Sequence, residues 1–209
     1  MNLIVIAKAP RAGVSKTRLC PPCTPAQAAA LAEAALRDTL HAVLATPADR
    51  RVVVLDGTPG PWLPDGFEVL PQRGDGLDER LAAAFADVGG PAFLVGMDTP
   101  QLTPPDLEHG MDATARHGAA IGGAPDGGYW AIGLRDPDPR VFAGVPMSAA
   151  DTGARQRAQL SALGLPYAEL PALRDVDHFD DAVAVAHEAP DTRFAAAVRS
   201  LVAAGAVAS

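Results

Sequence analysis

Lys8 and Lys16 are the only two lysines in this chain of 209 residues, and both lie in one short segment near its N-terminus. Every other basic side chain is an arginine. A lysine ammonium is a compact point charge on a flexible stem, which suits contact with a phosphate whose charge changes during a reaction. Arg11, Gly13 and Arg18 lie in the same segment, where backbone amides around the glycine can also face an anion. The segment predicts a binding loop for a diphosphate or a triphosphate.

The end of this segment, Lys16-Thr17, is similar to the end of the P-loop pattern GxxxxGK[ST]. Pro10 and Ser15 occupy the two positions at which that pattern requires glycine. Without these glycines the backbone cannot wrap the phosphate oxygens in the P-loop manner. The sequence therefore disfavours a P-loop ATPase and favours binding of phosphate by the cationic side chains.

A candidate metal site comes from two acidic segments that lie far apart in the sequence. Asp98 follows the apolar run that ends at Val95, and a carboxylate just past a buried strand needs a partner such as a divalent cation. Asp175 and Asp177 form a second acidic knot. Since Mg²⁺ usually takes only one or two protein carboxylates, we predict Asp98 and Asp177 as ligands of Mg²⁺ (or Mn²⁺). The alternative is that Asp98 only caps the turn before Pro100.

The segment APDGGYW places two glycines between apolar runs. One interpretation is a simple hairpin turn. The other is a loop that approaches the acceptor of a transfer reaction, with Asp126 receiving hydroxyl groups and Tyr129 forming a wall beside Gly127 and Gly128. Both interpretations remain open from the sequence.

A second glycine-rich segment, QRGDGLDER, follows a short apolar run. Gln72 and Gly76 could recognise the edge of a nucleotide base, and Arg80 could reach a phosphate. A plain strand-to-helix loop explains the same residues.

Apolar runs alternate with Ala- and Leu-rich stretches of helical length. The predicted strands are Leu3–Ala7, Arg51–Leu55, Phe67–Leu70, Ala92–Val95, Ala119–Gly123, Tyr129–Leu134 and Tyr167–Leu170. The predicted helices are Pro25–Leu44, Asp78–Asp87, Pro104–Arg116, Asp151–Leu163, Asp180–Glu188 and a C-terminal helix over about 191–207. This alternation predicts one α/β domain over residues 1–209 with a mostly parallel sheet, and ligands bind such sheets at the carboxyl ends of the strands.

Charge and hydropathy narrow the classes of partner. The net charge of −8 and a pI near 5.0 disfavour nucleic acid and anionic membranes as partners. No apolar stretch approaches the roughly 18 residues of a membrane span, and no signal peptide is evident, so we expect a cytoplasmic protein. The sequence leaves the oligomeric state open.

Cys20 and Cys23 form a CPPC motif. A thioredoxin-like site would place the first cysteine at a helix N-terminus, whereas Thr24-Pro25 places the predicted helix start beside the second. No further CxxC or histidine pair favours zinc. We interpret the two as reduced thiols without a catalytic role, with a thiol oxidoreductase as the alternative.

Taken in order, five segments resemble a bacterial family of glycosyltransferase-A-like (GT-A) proteins, one branch of which is labelled for arsenosugar biosynthesis. These segments are AKAPRAGVSKTRL, QRGDGLDERL, GMDTPQL, APDGGYWAIGL and LRDVDHFDD. More distantly, the chain resembles the nucleotidylyltransferases that make 2-phospholactate-guanosine diphosphate and the molybdenum-cofactor dinucleotide. The resemblance implies a Rossmann-like nucleotide-diphospho-sugar transferase fold that binds a nucleoside triphosphate or nucleotide sugar together with a divalent metal.

The resemblance also implies roles for particular positions. It places Lys8, Gly13, Lys16 and Arg18 on the phosphate loop, Asp98 and Asp177 on the metal, Gln72 and Gly76 on the base side, and Asp126, Gly127, Gly128 and Tyr129 on the acceptor side. Two departures from the family pattern are His178-Phe179 in place of Thr-Pro and Met147-Ser148-Ala149 in place of Trp-Ser-Thr. The second departure concerns the acceptor.

We therefore expect a metal-dependent transferase in which Lys16, Arg18 and Asp98 carry the catalysis. Transfer of a nucleotidyl group from a nucleoside triphosphate to a small phosphorylated or hydroxyl acceptor is slightly favoured, because a cationic loop suits the departure of pyrophosphate. Glycosyl transfer from a nucleotide sugar is the alternative. A nucleotide-binding module without turnover is a third possibility.

Overall fold

The first strand, β1 (Asn2–Lys8), lies in the interior of the sheet in the computed structural model, which describes residues 1–205. Its apolar residues alternate between the two faces: Leu3 and Val5 pack into one core cluster and Ile4 into the other. A strand that is apolar on both faces must be covered on both faces. This requirement explains the helices on either side of the sheet.

In the described part of the chain, seven strands form one sheet in the order β3-β2-β1-β4-β6-β5-β7. The remaining strands are β2 (Arg51–Asp56), β3 (Glu68–Pro71), β4 (Ala92–Val95), β5 (Ala119–Gly123), β6 (Tyr129–Leu134) and β7 (Tyr167–Leu170). Strand β6 runs antiparallel to its neighbours β4 and β5, whereas the other paired strands are parallel. The prediction of an α/β fold with a mostly parallel sheet is confirmed, and β6 is its one antiparallel member among the described strands.

Six α-helices accompany the sheet within residues 1–205. They are α1 (Pro25–Ala45), α2 (Leu77–Val88), α3 (Pro104–His117), α4 (Thr152–Ala162), α5 (Phe179–Glu188) and α6 (Arg193–Ala203). Helices α1 and α3 contribute to the core on one face of the sheet, and α2 and α4 to the core on the other. Thr24 and Thr103 cap α1 and α3, each as part of a capping box followed by proline. The predicted C-terminal helix is shorter than expected, and its predicted end near residue 207 lies outside the described residues.

A third apolar cluster joins α5 and α6 to the outer side of α1. It includes Leu19 from the segment after β1, and Val176 and Phe179 from the segment that follows β7. The amide of Val176 also donates to the carbonyl of Asp98 at 2.9 Å. Burial of these residues therefore holds the phosphate-loop segment against the second acidic segment.

The strand order reverses between β1 and β4, because the chain runs from β1 outward to β2 and β3 and then returns to β4 on the other side. The loop after β1 and the loop after β4 thus diverge at this point of the sheet. In doubly wound sheets this is the position at which ligands bind. Among the described residues, no helix is both long and apolar enough to cross a bilayer.

Candidate active site

A cavity of about 820 Å³ opens at the carboxyl ends of β1 and β4. This volume lies within the range of small-ligand sites, roughly 300–1,000 Å³. Ten of the predicted site residues line it: Lys8, Lys16, Arg18, Gln72, Arg80, Asp98, Asp126, Gly128, Tyr129 and Asp177. The fold thus brings together segments that are as much as 160 residues apart.

Lys16 and Asp98 contact each other directly across this cavity. The ammonium of Lys16 lies 2.9 Å from Oδ2 of Asp98 and donates to the backbone carbonyl of Val176. The Lys16 side chain is only 11% exposed, whereas that of Asp98 is 39% exposed. A nearly buried ammonium needs such partners, since an unpaired charge removed from water is costly.

Arg18 forms a second ion pair across the cavity, with the carboxylate of Asp177. Both pairs join the loop after β1 to an acidic residue of the opposite wall. The two cations predicted to hold phosphate and the two carboxylates predicted to hold metal therefore neutralise each other.

Asp175 is a site residue that sequence reasoning missed. It lines the cavity, and burial raises the pKa of its carboxyl to about 6, with Asp126 and, less strongly, Asp98 adding to the rise while Lys16 opposes it. These interactions place Asp175 near the three charged residues. The Asp-Val-Asp spacing offered a signal, because residues two apart point to the same side of an extended chain.

Backbone strain also concentrates at this cavity. Within residues 1–205, Lys16 and Ser148 are the two non-glycine residues with positive φ, at 51° and 58°. Both line the cavity. A non-glycine residue in the left-handed region costs free energy, and such residues cluster at functional sites.

The segment after β3 has a different character, although Gln72 and Arg80 both line the cavity. The amide nitrogen of Gln72 donates to the carbonyls of Ala7 and Val54, at 2.8 and 3.2 Å. Its amide oxygen accepts from Arg80 at 3.2 Å, and Arg80 also contacts Asp56 at 3.0 Å. The polar groups predicted to read a base are thus occupied in joining β1, β2 and α2.

Gly76 is the N-cap of α2 and does not itself line the cavity, although Asp75 and Leu77 on either side do. Gly13 likewise lies beside a cavity residue, Val14, in the turn after β1, where its φ is 77°. Lys8, at the end of β1, is exposed to the cavity. Lys8 thus lines the cavity, whereas Gly13 and Gly76 lie next in the chain to residues that do.

The APDGGYW segment forms a hairpin turn between β5 and β6 and also faces the cavity, so the two interpretations of this segment are compatible. Asp126 accepts from the amide of Gly128 at 2.8 Å. Gly127 instead packs against the neighbouring loop: its φ is 91°, and a Cβ there would lie 1.8 Å from the carbonyl oxygen of Ala150. Only glycine fits at that position.

Tyr129 lines the cavity with its hydroxyl group held at 3.2 Å from Oε1 of Gln156. Burial raises the pKa of this phenol, so it stays protonated near neutral pH. Met147, Ser148 and Ala149 line the same side. The segment that departs from the family pattern is therefore part of the cavity wall.

The carboxylates at the centre of the cavity fit a divalent cation. Oδ1 of Asp98 is buried and has no hydrogen-bond partner among the described residues, and such an oxygen calls for an explanation. Carboxylate oxygens are the donors that Mg²⁺ prefers. Within residues 1–205, no three His, Cys, Asp or Glu side chains are arranged to hold a metal by themselves. A cation at Asp98 would therefore need phosphate oxygens and water as well, which is the usual situation for Mg²⁺.

Solved structures of similar fold include proteins that are named as transferases. A protein from Desulfovibrio desulfuricans G20, provisionally named a nucleotide-diphospho-sugar transferase, is 25% identical with a TM-score of 0.86, over 97% of this chain and 95% of that one. The 2-C-methyl-D-erythritol 4-phosphate cytidylyltransferase of Thermus thermophilus is 18% identical with a TM-score of 0.56, over 90% of this chain and 98% of that one. A nucleotidyl transferase from Methanothermobacter is 15% identical with a TM-score of 0.56, over 90% of this chain and 97% of that one.

No curated protein matches the sequence significantly. A family model does match residues 30–149, which is more than half of the chain. This region includes Gln72, Asp98, Asp126 and the 147–149 segment, whereas the lysine loop precedes it. The chain belongs to the DUF2064 family, which is described as uncharacterized proteins conserved in bacteria.

Proposed function

We propose that this protein is a divalent-metal-dependent transferase that uses a nucleotide substrate, and that it transfers a nucleotidyl group from a nucleoside triphosphate to a small acceptor. The observation that carries the proposal is the 2.9 Å contact between Lys16 and Asp98 inside one shared cavity. A phosphate-binding cation and a metal-binding carboxylate that lie in contact can bind one polyphosphate from two sides, the carboxylate through its metal.

The charge of the cavity supports this proposal. Four Lys and Arg residues and five Asp residues line it, which leaves one net negative charge. A polyphosphate alone would enter against this charge, and it would also have to draw Lys16 and Arg18 away from their carboxylates. A divalent cation alone would displace the same two pairs. When both arrive together, each charged side chain exchanges one partner for another, so we expect each ligand to strengthen binding of the other.

The chain's own residues then have distinct tasks. Lys8, Lys16 and Arg18 bind the β- and γ-phosphates and stabilise the charge that develops on departing pyrophosphate. Asp98, with Asp177, would hold Mg²⁺ (or Mn²⁺), which when bound supplies neutralisation of phosphate charge. Asp126, Gly128 and Tyr129 position the acceptor. Positioning and charge stabilisation account for the catalysis expected here.

Thermal unfolding of the protein with each nucleoside triphosphate and nucleotide sugar, with Mg²⁺ or with a chelator, tests the nucleotide site. A ligand at about 100 times its Kd stabilises the folded state by about 2.7 kcal/mol. We expect such stabilisation for one nucleotide class when Mg²⁺ is present, and much less when either is given alone. Equal stabilisation by nucleotide in the presence of a chelator would contradict the exchange of ion-pair partners.

Glycosyl transfer is the second candidate. It is favoured by the name of the Desulfovibrio protein, which is 25% identical over nearly the whole chain. The two resemblances of the sequence point to different reactions. The branch labelled for arsenosugar biosynthesis favours glycosyl transfer, and the guanylyltransferases favour nucleotidyl transfer.

The products separate the candidates. Free pyrophosphate indicates nucleotidyl transfer, and a released nucleoside diphosphate indicates glycosyl transfer. Tight binding with neither product across a broad set of acceptors would favour a module without turnover.

A further inference from the structure

The two sides of the cavity differ in charge. On the side formed by the segments after β1 and β3, the lining residues include Lys8, Lys16, Arg18 and Arg80. The opposite side is formed by residues 126–131 and 147–152, and none of its lining residues is a lysine or an arginine. This side instead contributes Asp126, and Asp175 lies next to it.

The arginines nearest in the chain to this second side are engaged elsewhere. Arg155 pairs with Asp151, Arg157 pairs with Glu169, and neither lines the cavity. Arg174, just before Asp175, pairs with Asp181. Lys16, whose charge acts on Asp175, already contacts Asp98 and the carbonyl of Val176.

A phosphorylated acceptor would therefore meet two carboxylates and no free cation among the described residues of this side. Proteins that bind phosphate groups supply Arg, Lys or a set of backbone amides. Carboxylates, by contrast, accept hydrogen bonds from hydroxyl groups, and each has two oxygens with which to do so. Tyr129, Met147 and Ala149 add aromatic and aliphatic surface suited to the carbon skeleton of a sugar or polyol.

We infer that the acceptor is a polyhydroxylated molecule, such as a sugar or polyol, that carries no phosphate or carboxylate group and is bound by Asp126 and Asp175. The inference rests on the proposed transferase function and selects between its two acceptor classes. In nucleotidyl transfer the acceptor oxygen bonds to the α-phosphorus and the bond between this phosphorus and the bridging oxygen breaks. Pyrophosphate leaves with the electron pair, and the hydroxyl proton is released to water. In glycosyl transfer the same oxygen bonds to the anomeric carbon, and the bond from this carbon to the diphosphate oxygen breaks. The nucleoside diphosphate leaves with the electron pair, and the hydroxyl proton is again released to water.

The test uses the 209-residue protein with Mg²⁺ and the nucleotide that stabilises it. The acceptors are supplied as matched pairs of an uncharged molecule and its phosphate ester: glycerol and glycerol 3-phosphate, ribose and ribose 5-phosphate, glucose and glucose 6-phosphate, and mannose and mannose 6-phosphate. Pyrophosphate and nucleoside diphosphate are both measured. We expect kcat/KM to be at least tenfold higher for an uncharged member than for its phosphorylated partner. A preference for the phosphorylated member, or a set in which no uncharged member reacts, would overturn the inference.

Charge variants sharpen this test. Asp126→Asn keeps an oxygen for the Gly128 amide and should reduce the preference for uncharged acceptors severalfold. Asp126→Lys should reduce it further or reverse it. Asp136→Lys is the matched control, because Asp136 is an exposed carboxylate beyond the other end of β6, and its acceptor preference should equal that of the unmodified protein. An unchanged preference in both Asp126 variants would refute the role of that carboxylate.

Failure of the inference is distinguishable from failure of the proposed function. If Mg²⁺ and nucleotide together do not stabilise the protein, the transferase proposal itself falls and the inference falls with it. If they do stabilise it and phosphorylated acceptors react better, only the inference is wrong.

Discussion

Two loops at the same edge of the sheet place charged and polar groups in one cavity, yet they use them differently. In the loop after β1, Lys16 and Arg18 reach across the cavity to Asp98 and Asp177. After β3, Gln72 of the loop and Arg80 of α2 bind groups of their own wall: two strand carbonyls, the carbonyl of Gly74 and Asp56. The first set of contacts spans the space that a ligand would occupy, and the second set does not.

This difference separates contacts that a ligand can replace from contacts that hold the site in shape. An ion pair across a cavity can be exchanged for a phosphate and a metal without leaving any charge unpaired. A side-chain hydrogen bond to a strand carbonyl cannot be lost without leaving a buried acceptor unsatisfied. Variants of the first kind should therefore change activity, and variants of the second kind should change stability.

The largest effect is expected for Asp98→Ala and Lys16→Ala. Each removes one partner from the ion pair at the centre of the cavity, and loss of one charge-stabilising group costs about 10²–10³ in rate. The measurement is kcat/KM for nucleotide consumption, with unfolding curves to verify that the variants fold. Asp65→Ala, at an exposed carboxylate outside the cavity, is the control and should behave like the unmodified protein. Activity within twofold of normal in either cavity variant would remove the proposed role of the pair.

Gln72→Ala should chiefly lower stability. It removes the amide that bonds to the carbonyls of Ala7 and Val54 and leaves these buried acceptors without that partner. Such a loss costs about 1–3 kcal/mol of unfolding free energy. Urea unfolding measures this cost, and nucleotide binding at a temperature where the variant is folded measures selectivity. If stability is unchanged while the preference between bases is lost, Gln72 reads the base as the sequence predicts.

The elements of this fold could be predicted closely from the sequence, because each has a strong local signal. The apolar alternation of β1 and the Thr-Pro caps of α1 and α3 specify their positions within about two residues. The meeting of Lys16 with Asp98 could be inferred only as a common edge of the sheet. The direct contact between the two side chains depends on the burial of Leu19 and Val176 in one cluster. This burial is a long-range contact that no local sequence pattern contains.

The hydrogen bonds of the Gln72 amide to strand carbonyls could not be predicted from the sequence, for a related reason. A glycine-rich loop with an amide is typical both of base recognition and of a joint between strands, and the choice depends on which carbonyls lie nearby. Asp175 was missed because the family pattern singles out Asp177, while the burial that distinguishes Asp175 is a property of the folded chain. The residues of the site were thus largely predictable, whereas their partners were not.

Asp175→Asn is expected to stabilise the metal-free protein above pH 6. Burial, Asp126 and Asp98 raise the pKa of Asp175 to about 6 from an ordinary value of 3.8, so the folded state binds the proton more tightly than the unfolded state does. Stability is therefore lost as the pH rises from about 4 through 6, and the amide removes that loss. Because water screens the charge of this half-buried group, the gain should be only on the order of 1–2 kcal/mol at pH 7.5, and it should vanish near pH 4.

Chemical unfolding at several pH values measures this difference. Activity should fall in the same variant, because the carboxylate faces the cavity that the ligand-exchanging pairs span. A variant that is less stable at pH 7.5 would show that Asp175 already has a partner in the folded protein.

The smallest effect is expected for the two cysteines, which directly follow the cationic loop but take no part in its ion pairs. Cys23 is 4% exposed and packs with Leu19 and Phe179, and burial, with a further contribution from Cys20, raises the pKa of its thiol. Since the thiolate is the reactive form, Cys23 should be alkylated by iodoacetamide much more slowly than Cys20 at pH 8. The double variant Cys20→Ser, Cys23→Ala should retain kcat/KM within twofold, because neither sulfur lines the cavity. The contrary outcome is that the double variant loses activity and that a reductant causes the same loss in the unmodified protein. The two cysteines would then form a functional redox pair, and this part of the loop would belong with the residues whose variants change activity.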